Sequence, residues 1–149
     1  MKKTLTVMLA AFLIAACNNS DKNEAAENDI DAARQFIQAA LRSDYQKARA
    51  YMIQDTPNLA RMSAVERVHL PPEEKKGLAG ATINIHNINR VDTVTTIVIF
   101  SNSFKNNHDT LRVKKINGQW LVDLDYLFTH DTDSLTHIPL LPGDTLPAE

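Results

Sequence analysis

The chain has 149 residues, of which 44% are hydrophobic and 23% charged, and its formal net charge is −2. This composition is typical of one globular domain with one core. A single cysteine excludes an internal disulfide, so the fold must depend on packing. Residues 30–128 carry thirteen Lys or Arg against ten acids. Such a weak basic excess argues against a nucleic-acid-binding surface.

The first sixteen residues have the pattern of an export signal. Lys2 and Lys3 precede an apolar run at residues 5–16 that ends in small residues. The run is shorter than the roughly 20 apolar residues that a transmembrane helix needs. Residues 14–17, with the sequence IAAC, resemble a bacterial lipobox, in which cleavage precedes the cysteine and its sulfur receives lipid. The resemblance implies that Cys17 is the lipid-bearing first residue of the mature protein; the alternative is a plain secretory signal beside an incidental cysteine.

Residues 17–28 are polar, and we expect them to form a tether because they cannot bury enough apolar surface to fold. In Gram-negative lipoproteins an Asp after the cysteine often signals retention in the inner membrane, and this chain has Asn18 there. The resemblance therefore implies the outer membrane. An acidic stretch at residues 20–29 also resembles surface-export signals, which leaves the periplasmic face and the cell surface both open.

Helical periodicity begins at residue 29, with Asn28 or Asp29 as the predicted N-cap. The apolar stripe of this first helix comprises Ala33, Phe36, Ile37, Ala40 and Leu41. A capping box from Ser43 to Gln46 predicts a second helix. Thr56 as a cap, with Pro57 at the first helical position, predicts a third. A fourth, short helix is expected over residues 73–78.

Beyond residue 80 the apolar period changes to two. Ile83 and Ile85 indicate one strand, and the β-branched run at residues 93–101 predicts a long second strand. Both faces of that strand are apolar, so we expect helices on one side and another cover, such as a second subunit, on the other.

The pair Asn117-Gly118 predicts a two-residue type I′ hairpin, because both central residues need positive φ. The turn sets the register of the hairpin and places Arg112 opposite Asp123. One face of this hairpin then carries the apolar side chains of Leu111, Val113, Trp120, Val122 and Leu124.

Helices followed by an antiparallel meander predict an α+β fold. The segments AARQFIQAALRSDYQKARAYM and LRVKKINGQWLVDLDYLF resemble small envelope lipoproteins of unknown function with a nuclear-transport-factor-two-like domain. The resemblance covers residues 29–128 and implies a cone-like curved sheet around helices, often with a pocket. Tyr45, Tyr51 and Trp120 are its candidate lining residues. Residues 129–149 are acidic and proline-containing, and we expect an irregular tail there.

Catalytic and metal-binding patterns are weak in this sequence. No glycine-rich phosphate loop is present. The possible ligands His130, Asp131, Asp133 and His137 fall on the expected irregular tail. Some members of the superfamily are isomerases with an acid or histidine in the pocket, whereas here the predicted inner face of the hairpin has no acid.

The sequence therefore predicts a membrane-anchored, non-catalytic module that binds a peptide, a small ligand or a partner protein, with no cofactor or metal. The alternative is an accessory subunit that forms a homodimer through the outer face of residues 95–99. An enzyme that uses a residue such as His86 or Tyr126 is the third hypothesis.

The lipid anchor is tested by Cys17→Ser. Without the thiol, no thioether to diacylglycerol can form, so the variant should accumulate as uncleaved precursor or as unanchored protein. Membrane fractionation and the mass of the N-terminal peptide measure this. A variant that still fractionates with the outer membrane would contradict the anchor.

Overall fold

The computed structural model describes residues 24–135. The predicted signal peptide, Cys17, tether residues 17–23 and the end of the tail, residues 136–149, lie outside the described residues. In the described part, the elements in chain order are α1 (Asp29–Leu41), α2 (Tyr45–Ala50), α3 (Thr56–Glu66), α4 (Pro72–Ala79), β1 (Ile83–Arg90), β2 (Thr95–Asn102), β3 (Asp109–Ile116), β4 (Gln119–Asp123) and α5 (Leu124–Leu135).

Acidic or amide side chains start the first three helices. Asn28 caps α1, where its side chain accepts hydrogen bonds from two backbone amides of the first turn. The caps of α2 and α3 are Asp44 and Asp55, and not Ser43 and Thr56 as predicted. Ser43 has a φ of +59° and forms the corner between α1 and α2. In each case the carboxylate next to the predicted cap accepts the amide hydrogen bond of the first turn.

The four strands form one antiparallel sheet in the order β1-β2-β3-β4 that does not close into a barrel. A bulge interrupts the β1–β2 register between Ile85 and Asn87. The predicted hairpin register is confirmed, with Arg112 opposite Asp123. Asn117 and Gly118 have φ values of 50° and 83°, as a type I′ turn requires. The predicted α+β class is therefore confirmed.

Helix α1 packs across the face of the sheet to which β2, β3 and β4 contribute alternate side chains. The core that results is small and mostly aliphatic, with three aromatic rings. It consists of Ala32, Ala33, Phe36, Ile37, Ala39, Ala48, Tyr51, Met52, Met62, Val98, Phe100, Leu111, Val113, Val122 and Leu124.

The end of the domain differs from the prediction. Strand β4 stops at Asp123, and the chain turns directly into α5, so Leu124 and Asp125 are helical. The irregular tail expected from residue 129 is wrong for residues 129–135, which continue α5. Leu124 and Leu127 pack against the core at helical spacing, and this tertiary burial outweighs the weak local signal. No helix among residues 24–135 is long and apolar enough to cross a membrane.

A buried carboxylate at the start of α1 joins this helix to the sheet. Asp29 accepts hydrogen bonds from Thr96 Oγ1 at 2.8 Å and from Arg90 Nε at 3.0 Å. Burial alone would raise the pKa of Asp29, but these bonds outweigh it and hold that pKa below its ordinary value. The carboxylate is thus ionised at neutral pH and ties α1 to β1 and β2.

Asp29→Ala should lower the free energy of unfolding by about 1–3 kcal/mol, because it leaves the buried Thr96 hydroxyl without its acceptor and Arg90 without its partner. Urea unfolding measures the loss. Asp31→Ala, two residues along the same helix, is the matched control. The Asp31 carboxylate accepts hydrogen bonds only from Glu27 N and Gln35 Nε2. Its removal should therefore lower the free energy of unfolding by less than about 1 kcal/mol. Equal losses would contradict the role of Asp29.

Candidate binding groove

A short segment after α2 pairs with the outer edge of β4. Val122 N donates to Tyr51 O at 2.8 Å, and Ile53 N donates to Val122 O at 2.9 Å, which makes a parallel bridge centred on Met52. The Gln54 side-chain amide donates to the carbonyl oxygens of Arg49 and Met52 and holds the segment in place. Residues 51–53 therefore cover the edge of β4 at Val122.

Two adjoining spaces open beside this pairing, and we call them together the β4-edge groove. The first is a cavity of about 90 Å³ between residues 24–26, 50–51 and 119–121. The second is an open cleft of about 350 Å³. It is lined by Gln46, Arg49, Ala50, Met52, Gln54, Gln119 and Leu121. Because Ala50, Gln119 and Leu121 line both spaces, the groove runs continuously along the strand edge.

The three aromatic residues named from the sequence do not lie together. Tyr51 and Trp120 line the same small cavity, whereas Tyr45 packs against the core and lines neither space. Tyr51 is buried, and its hydroxyl donates to Glu24 O at 3.0 Å. Burial, with the nearby negative charges of Asp31 and Glu24, raises the pKa of Tyr51. Tyr51 is therefore a neutral donor that fixes the incoming N-terminal segment.

The amide and aliphatic residues of the open cleft were missed by sequence reasoning. Gln46 and Ala50 lie on α2, while Gln119 and Leu121 lie on β4. The β-strand alternation of β4 placed Gln119 and Leu121 on the face opposite Trp120, but no signal indicated that α2 approaches the same edge. The parallel bridge at Val122 joins segments about seventy residues apart, and only the folded chain reveals it.

A second buried carboxylate, Asp123, lies at the end of β4. Its Oδ2 accepts from Arg112 Nη2 at 2.7 Å and from Lys114 Nζ at 3.1 Å. The Asn58 amide on α3 lies 3.5 Å from its Oδ1. Asn58 also accepts from the backbone amide of Asp125 at 3.1 Å. Burial alone would raise the pKa of Asp123, but the hydrogen bonds and charges of Arg112 and Lys114 outweigh it and lower that pKa.

The predicted Arg112–Asp123 pair is thus present, and its carboxylate is buried. A carboxylate held ionised between two cations does not release and take up protons near neutral pH, so Asp123 is poorly suited to be a general acid or base. Its arrangement fits a structural link between β3, β4 and α3.

The residues left open as possible catalysts occupy two other places. His86 Nε2 lies 2.8 Å from Ser101 Oγ, and the His86 ring lies 4.2 Å from that of His108. Ser101 is fully buried, so a substrate cannot reach its hydroxyl. Tyr126 stacks on the Arg112 guanidinium at 4.4 Å. Among the described residues, no three His, Cys, Asp or Glu side chains are grouped as a metal site.

The outer face of the sheet carries a narrow apolar stripe. Thr95, Ile97 and Ile99 are half-buried. Their neighbours across the strands are polar: Asn89 and Asn87 on β1, and Lys114, Arg112 and Thr110 on β3. The stripe is therefore only one strand wide.

The chain matches no protein-family model, and it has no significant similarity to a curated protein or to a solved structure. Its function is therefore inferred from its own residues.

Acid should destabilise the domain through Asp123 and Asp29. Both pKa values lie below that of an unfolded Asp, about 3.9, so their stabilisation is complete above that pH and is lost as the pH falls through the folded values. Asp123→Asn removes one of the two contributions and should flatten this acid loss of unfolding free energy.

Urea midpoints measured between neutral and acidic pH give the slope of stability against pH. Asp92→Asn is the control, because Asp92 is exposed and an asparagine oxygen can still accept from Val94 N. Identical slopes for the wild-type chain and Asp123→Asn would contradict the role of Asp123.

Proposed function

We propose that this chain is a lipid-anchored envelope protein whose domain binds a short extended peptide in the β4-edge groove without catalysing a reaction. The observation that carries the proposal is the partly covered edge of β4. Residues 51–53 bond Val122, and they leave the preceding part of the edge to the groove.

The alternation of a β-strand sets the direction of the next free backbone groups. Residues two apart in a strand direct their N–H and C=O groups to the same side. Since those of Val122 point to residues 51–53, those of Trp120 point to the same edge, where the small cavity lies. A peptide strand that lies in the adjoining open cleft can extend the pairing from that side and place a small side chain in the cavity, as in β-strand addition.

The side chains around the groove fit an uncharged peptide backbone. Gln46 and Gln119 present exposed amide groups that both donate and accept hydrogen bonds. Ala50 and Leu121 supply small apolar surface. The one cation of the cleft, Arg49, is paired with Glu66 at 2.9 Å. We therefore expect selection for extended, uncharged segments rather than for acidic ones.

Volume favours a peptide over an enclosed small molecule. Pockets for drug-sized ligands usually measure about 300–1,000 Å³ and bury most of the ligand. The more enclosed of the two spaces, about 90 Å³, holds only a few waters or a small side chain. The larger space is an open cleft, which suits a chain that lies along the surface.

Self-association through the outer sheet face is the weaker alternative. A stable interface usually buries about 800 Å² per partner. The stripe of Thr95, Ile97 and Ile99 is one strand wide and has polar borders. This narrowness favours the groove as the binding surface.

Peptide binding is tested with the full chain, expressed in a Gram-negative host, purified in detergent and immobilised against a displayed library of random linear peptides. Enriched peptides should change the emission of Trp120, the only tryptophan in the chain. Ala50→Arg should weaken their binding about tenfold or more, or by roughly 1.4 kcal/mol, because a long side chain then occupies the groove shared by both spaces.

Ala64→Arg is the matched control, since Ala64 is also an exposed helical alanine but lines neither space. It should bind the peptides as the wild-type chain does. No enrichment, or equal binding to Ala50→Arg, would contradict the groove as the site.

A further inference from the structure

Two hairpin turns lie at the same end of the sheet, because the strands alternate in direction. The β1–β2 turn comprises residues 91–94, and the β3–β4 turn is Asn117-Gly118. The β1–β2 turn contacts the end of β3 that leads into the second turn, since Lys115 N donates to Val94 O at 2.8 Å. Lys115 in turn lies opposite Trp120, with its Nζ 5.5 Å from the indole ring. The valine turn, Lys115 and Trp120 thus form one continuous surface, which we call the tip surface.

The tip surface exposes two valine side chains, and hydrogen bonds within the turn keep them facing solvent. Val91 is 59% exposed and Val94 is 45% exposed. The turn between them is well bonded: Val94 N donates to Asp92 Oδ1 at 2.7 Å, and Val91 N donates to Thr95 O at 3.0 Å. These bonds satisfy the backbone while both valines face solvent, at a cost in free energy that burial against a partner would remove.

The N-terminal chain enters the domain at this same end. The Tyr51 hydroxyl holds Glu24 O at 3.0 Å, and residues 24–26 line a cavity with Trp120. Cys17 precedes Glu24 by only seven residues. At about 3.5 Å per fully extended residue, this segment spans at most about 25 Å, so Glu24 lies within about 25 Å of Cys17.

We propose that the tip surface contacts the lipid bilayer, with Val91 and Val94 entering the interface beside the anchor. The inference rests on the proposed lipidation of Cys17, which holds the domain near the membrane. A short tether raises the effective concentration of the surface at the bilayer, so a small apolar contact is enough to orient the domain. Trp120 and Lys115 are residue types suited to the boundary between headgroups and acyl chains.

The contact is apolar rather than electrostatic. Asp92 is exposed in the valine turn itself, and Glu24 is exposed beside Trp120, so these two acids offset Lys115. Arg90 is paired with Asp29. Binding should therefore need no anionic lipid and should change little with salt, in contrast to a basic membrane-binding patch.

The test uses the full chain, processed in a Gram-negative host, purified in detergent and reconstituted in phosphatidylcholine vesicles. Thr93→Cys, at the tip, carries a fluorescent label, and Asn107→Cys carries the same label in the exposed loop at the opposite end of the sheet. Nitroxide-bearing lipids should quench the label at residue 93 several-fold more than the label at residue 107, at low and high salt alike. Adding Val91→Ser and Val94→Ser should remove the difference.

Val68→Ser is the matched control for the serine substitutions, because Val68 is as exposed as Val91, at 59%, and lies outside the tip surface. It should leave the quenching unchanged. Flotation of the vesicles separates the two proposals. Protein that does not float overturns the lipid anchor and this inference together.

Protein that floats but is quenched equally at residues 93 and 107 overturns the tip contact alone. Cross-linking of two chains through residue 93, without quenching by the nitroxide lipids, assigns the surface to a second copy and also overturns it.

Discussion

The buried carboxylate of Asp123 is the interaction on which the second half of the fold depends. Arg112 and Lys114 from β3 neutralise it, and Asn58 from α3 bonds both Asp123 and the first turn of α5. Because the carboxylate is nearly fully buried, loss of its cationic partners would leave a desolvated charge, which is costly. Asp123 and Asn58 therefore join helices α3 and α5 to the β3–β4 hairpin.

This arrangement also positions the candidate groove. Asp123 holds the end of β4 against α3, and one residue earlier Val122 bonds the segment that leaves α2. Because that segment pairs with β4 only at Val122, the edge is covered there and borders the cavity at Trp120. The groove thus forms because the segment that connects α2 to α3 pairs with the edge of β4. Its lining residues are far apart in the chain.

The domain has two distinct ends. At one end Asp29 joins α1 to Thr96 and Arg90, the N-terminal chain enters, and the turn valines are exposed. At the other end the β2–β3 loop packs against α4, where Phe104 covers Gly77 and Lys105 pairs with Glu74. In a domain anchored through its N-terminal chain, the end with the turn valines would face the bilayer. The β4-edge groove would then lie to one side, close to the bilayer. Anchoring and peptide binding would then be properties of neighbouring surfaces.

The sequence by itself determined what is local. The type I′ turn at Asn117-Gly118 set the hairpin register, and the apolar stripe located α1, because both depend on residues close together in the chain. The caps of α2 and α3 are aspartates one residue away from the predicted caps, because several side chains near a helix start can accept a hydrogen bond from the same amide. Only the tertiary structure decided the switch from strand to helix at Leu124 and the pairing of residues 51–53 with Val122. Both depend on packing between distant segments, which local propensity does not encode.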